Sequence, residues 1–117
     1  RYPDEPRHQR ARTAALEPLN TALQATERRL TELEHDHKRL QQEAEFYKGR
    51  DLPRELKIKF GQNQAALQAQ QDAAQNHLAE IQRINASYDQ ELVRLRRLWA
   101  GAAPGSVSPP ASSSATR

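Results

Sequence analysis

The sequence predicts an all-α fold: an antiparallel two-helix coiled-coil hairpin with a disordered C-terminal tail and scope for oligomerisation. Three observations predict it. Two long stretches carry apolar residues at alternating steps of three and four, the spacing of a coiled-coil seam. Between them, Lys48-Gly49-Arg50-Asp51-Leu52-Pro53 combines signals that stop one helix and start another. Finally, only 36% of the 117 residues are hydrophobic and 5% aromatic, with a mean hydropathy of -1.00. That is too little for a broad core, but a narrow seam tolerates it.

Residues 1–5 read as an irregular lead-in. Helix 1 is expected over residues 6–48, with Pro6 able to open it. Pro18 falls inside the pattern, where it lacks the N–H for a helical hydrogen bond and crowds the preceding turn. A kink or restart is therefore expected near Glu17. From Leu16 the register is continuous. One seam position is occupied by Leu16, Leu23, Leu30, His37 and Ala44, the other by Leu19, Thr26, Leu33, Leu40 and Tyr47.

The turn is expected over residues 49–52. Gly49 can adopt the left-handed conformation that closes a helix. Lys48 and Arg50 place positive charge near the exposed carbonyls of that end. Asp51 suits the N-cap of the next helix, with Pro53 in its first turn.

Helix 2 is expected over residues 53–100. Its seam runs Leu56, Phe60, Asn63, Leu67, Gln70, Ala74, His77 or Leu78, Ile81, Ile84, Tyr88, Leu92, Leu95 and Leu98 or Trp99. The step from Tyr88 to Leu92 breaks the alternation like a stutter. Folding about residues 50–51 would set Leu40 against Phe60, Leu33 against Leu67 and Leu23 against Leu78. Thr26, Gln70 and Ala74 leave the middle of the seam small and polar. Residues 101–117, rich in serine, proline and alanine without periodicity, read as a disordered tail.

Several function classes lose support. No cysteine is present, which removes thiol chemistry and zinc–thiolate sites. His35 and His37 stand two apart on a helix and face different ways, so they cannot chelate together. Glu43 with Glu45, and Asp89 with Glu91, are carboxylates without an implied pocket. The expectation is no enzyme, no cofactor, no metal site and no small-molecule substrate. Methionine is absent even at position 1, so either a segment such as a secretory signal was removed or the chain is an excised piece. No apolar run approaches a membrane span.

Two surface features remain. Arg7, Arg10 and Arg12 lie near the start, and Arg94, Arg96 and Arg97 near the end of helix 2. Folding brings both sets to the open end of the hairpin. There they could bind nucleic acid or an acidic membrane surface, or pair with acids across the arms. The Arg7–Arg12 segment should face Asp89 and Glu91. Leu92, Val93, Leu95, Leu98 and Trp99 crowd the same end, opposite a segment poor in leucine. A second copy, another protein or a membrane could cover this candidate partner-binding patch. Alternatively, the segment 7–17, with Ala11, Ala14, Ala15 and Tyr2, folds over it.

Gly49-Arg50-Asp51-Leu52-Pro53 followed by Leu56, and the run from Ile84 to Leu92 ending in Arg97-Leu98-Trp99, resemble helical-hairpin regions of uncharacterised secreted proteins of proteobacteria. The resemblance covers about residues 16–99. It implies a periplasmic or otherwise exported location and no known enzymatic activity. The functional expectation is a structural or adaptor coiled coil of the bacterial envelope acting through protein–protein contacts or self-association. The alternatives are anion binding by the six arginines and a holdase-like helical chaperone.

Overall fold

Asp4 starts the first helix. Its Oδ1 accepts a hydrogen bond of 3.0 Å from the Arg7 N–H, and its carbonyl accepts the first helical bond from His8 at 3.2 Å. An N-cap aspartate satisfies one of the donors that a helix start leaves open. In the computed structural model, which describes residues 2–101, α1 spans Glu5–Glu45 and α2 spans Arg54–Gly101. Together they form an all-α helical hairpin, with no strand among the described residues. The tail expected over 101–117 lies outside the described residues, apart from Gly101, which ends α2.

α1 continues through Pro18 without a restart. It ends three residues before the expected boundary. There the bonding tightens: Phe46, Tyr47 and Lys48 donate to the carbonyls three residues back, Glu43, Ala44 and Glu45. Gly49 then takes φ +81°, where a Cβ would be strained. The Arg50 guanidinium donates to the Phe46 carbonyl, supplying a partner that the helix end lacks. The Pro53 carbonyl accepts the first bond of α2, from Lys57 at 3.1 Å. The cap position therefore falls on Pro53 rather than Asp51, and α2 begins one residue later than expected.

The chain divides into two units. Among the described residues, unit 2 comprises residues 19–79, and unit 1 combines residues 2–18 with residues 80–101, so the boundary in α1 falls directly after Pro18. In unit 2, Leu33, Leu40 and Leu56 form the buried apolar core, joined by buried Thr26 and Asn63. Each predicted seam position of the first arm from Leu19 to Tyr47, just past the end of α1, is buried or half-buried. On α2, His77 takes the seam and Leu78 is 48% exposed, which resolves that pair in favour of the polar residue. The Phe60 ring packs edge-on against His37 at 5.8 Å, and Asn63 Nδ2 donates to the Leu33 carbonyl at 2.9 Å. The expected pairing set Phe60 against Leu40 and Leu33 against Leu67, and each of these contacts reaches a neighbour one turn along the same face.

Candidate functional site

Side chains from both ends of the described residues meet in unit 1. The seam of α1 continues upstream of Leu16 through Ala15, Arg12, Ala11 and His8, all buried or half-buried. On α2 the alternation continues through Ile81, Ile84, Tyr88, Glu91 and Leu95. The apparent stutter after Tyr88 is thus a seam position filled by a carboxylate.

His8 is fully buried. Its ring stands edge-on to Tyr2 at 5.5 Å and tilted against Tyr88 at 5.3 Å. Its Nε2 lies 3.5 Å from Glu91 Oε1, yet neither ring nitrogen has a hydrogen bond. A buried polar group in that state is costly.

Around His8 the two helices exchange directed contacts. Arg12 donates to Asn85 Oδ1 at 3.2 Å and Asp89 Oδ1 at 2.6 Å, with its guanidinium 5.9 Å from the centre of the Tyr88 ring. The Tyr88 hydroxyl donates to the Ala11 carbonyl at 3.4 Å. Arg96 grips Glu5 through two bonds, 3.0 and 2.8 Å. Those bonds hold the Glu5 carboxyl below its ordinary value and raise Arg96 above its own. Trp99 Nε1 donates to the Tyr2 carbonyl at 3.1 Å, across 97 positions of sequence.

The six candidate arginines divide in two. Arg12 and Arg96 are held in ion pairs with Asp89 and Glu5. Arg7, Arg10, Arg94 and Arg97 are exposed and form no ion pair among the described residues. The five candidate patch residues also divide. Leu95 is buried, Leu92 and Trp99 are half-buried, and Val93 and Leu98 are exposed at 50% and 43%. The α1 segment therefore covers the inner half of the patch and leaves the outer half open.

Within the segment that the sequence sets against Asp89 and Glu91, His8 itself had no assigned role. The signal was present: His8 and Glu91 each extend a three–four alternation, which is visible when polar residues are allowed into the seam.

Elsewhere, an open groove of about 530 Å³ in unit 2 is lined by Arg29, Asp36, Arg39, Lys59 and Asn63, among others. Its charges are mixed, and Asp36 is already paired with Arg39. No group of three or more metal-ligating side chains occurs among the described residues. No helix among them is long and apolar enough to cross a membrane. No family model matches the chain, and neither does any curated protein or solved structure.

Proposed function

We propose that this chain is a non-catalytic structural or adaptor protein that works through helix-to-helix contacts with a second copy or another protein. An exported, envelope location follows from the resemblance in the sequence. The observation that carries the reading is the apolar surface left open on the last turns of α2. Leu98 is exposed on the flank of the Leu92, Leu95 and Trp99 seam, and Val93 is exposed on the side away from it. Apolar side chains so placed suit a partner helix.

Light scattering after size exclusion, at two concentrations and two salt levels, tests self-association. The expected result is a discrete dimer or larger species that reverts to monomer when Val93→Asp and Leu98→Asp are combined. A concentration-independent monomer would remove self-association. Binding of another protein would then be tested on the same two positions.

One observation favours a second reading. Arg7, Arg10, Arg94 and Arg97 remain outside ion pairs among the described residues, which suits an anionic partner such as nucleic acid or an acidic lipid surface. Binding to single-stranded DNA or phosphatidylglycerol vesicles should then fall steeply with salt. Absence of binding at low salt removes this reading.

A further inference from the structure

The part of α1 within unit 1 makes an unusual cover. Against Ile81, Ile84, Leu92, Leu95 and Trp99 it presents His8, Ala11, Arg12, Ala15 and Leu16, with Tyr2 just ahead of it and only one leucine among them. Its fastenings are mostly polar. The Glu5–Arg96 pair is exposed, and Asp89 is 66% exposed where it meets Arg12. Such pairs hold weakly and are screened by salt. His8, at the centre of the cover, is buried with both ring nitrogens lacking hydrogen bonds. Pro18 cannot donate to the Ala14 carbonyl, so the helix is weakened at the residue where unit 1 ends on α1.

We propose that Tyr2–Glu17 is a releasable strap, hinged at Pro18, that closes over Leu92, Leu95 and Trp99 and opens to uncover them. Few apolar contacts and several solvent-exposed bonds define a segment that opens below the global unfolding limit. Opening would add Leu92, Leu95 and Trp99 to the apolar surface on which the adaptor reading depends. Its use therefore rests on that reading, whereas the opening itself does not.

Hydrogen exchange of the full chain, read by mass spectrometry at neutral pH, tests the strap. Amides of residues 8–17 should exchange as one block, about tenfold faster than those of residues 30–44, with the change at Pro18. Raising salt to about 0.5 M should widen the gap, because the ion pairs are screened. Acrylamide quenching of Trp99, the single tryptophan, should rise in parallel. Pro18→Ala should narrow the gap by restoring a helical bond. Joining Glu5→Cys to Arg96→Cys with a bis-maleimide should close it.

Equal protection of the two segments would overturn the proposal. So would protection that climbs smoothly from residue 5, which is ordinary end fraying, or a gap that survives the cross-link. A chain that opens in this way yet stays monomeric would keep the strap and reject self-association. A chain that self-associates without opening would do the reverse.

Discussion

His8 Nε2 stands 3.5 Å from Glu91 Oε1 at the centre of unit 1, between the rings of Tyr2 and Tyr88. Both residues occupy seam positions, where an apolar pair would give a stronger contact. The arrangement trades stability for a specific polar meeting point. Buried polar groups in other coiled coils set register in this way, at a cost in stability.

Replacing His8 by phenylalanine should therefore stabilise the chain. The ring remains between its aromatic neighbours, and two unsatisfied nitrogens are removed. We expect a gain of about 1 kcal/mol in urea denaturation followed by circular dichroism. His8→Ala should act in the opposite direction, by opening a void between Tyr2 and Tyr88.

Acid should loosen the Glu5–Arg96 clamp. Hydrogen bonds from Arg96 lower the Glu5 carboxyl from its ordinary value of 4.5 in the folded chain. The stabilisation is then fully present above that value and is lost as pH falls through the lower, folded value. Trp99 fluorescence should report the change, because its indole N–H bonds the neighbouring Tyr2 carbonyl. Glu5→Gln should reduce the acid response that lies below pH 4.5. Identical wild-type and variant curves would reject this assignment.

The unit 2 core should be sensitive where it is buried and indifferent at the turn. Leu33 and Leu56 are each only 3% exposed, and truncating either to alanine should cost about 2–4 kcal/mol. Phe46 is 77% exposed, and its alanine variant should stay within about 0.5 kcal/mol of wild type. Thermal melts of the three variants would separate these outcomes.

Gly49→Ala isolates a backbone effect. An added Cβ at Gly49 meets nothing within 4 Å, so crowding contributes nothing. The cost, about 1 kcal/mol, should come from holding alanine at φ +81°. Gly61 is also uncrowded and lies within α2, so Gly61→Ala should stabilise by about the same amount. Opposite signs in paired denaturation curves are the expected result.

Asn63→Leu should raise the stability of unit 2 and loosen its specificity. Asn63 Nδ2 reaches the Leu33 carbonyl while its Oδ1 has no partner, so the seam contains one directed bond and one unmet acceptor. A leucine there adds apolar burial and deletes the directional contact. The variant should melt higher and show more than one species in light scattering.

The helices, the face each buries and the site of the reversal were all legible from residue order. Leucines at steps of three and four define one stripe per helix, and Gly49 with Pro53 interrupts helical bonding locally. These are short-range constraints, acting through neighbours a turn apart. Their limit shows at Leu78 and His77, where hydropathy favours the leucine but the stripe takes the histidine. The individual partners across the seam were a different matter. A seam side chain can reach any of several neighbours a turn apart, so Phe60 against His37 and Asn63 against Leu33 came from the packed hairpin. The sequence set the Arg7–Arg12 segment opposite Asp89 and Glu91, as Arg12–Asp89 and His8–Glu91 show, but the individual bonds of the clasp of Tyr2, Glu5, His8 and Arg12 came from the packing. Its partners, Trp99, Arg96, Glu91 and Asp89, lie far along the chain, and folding brings them within bonding distance.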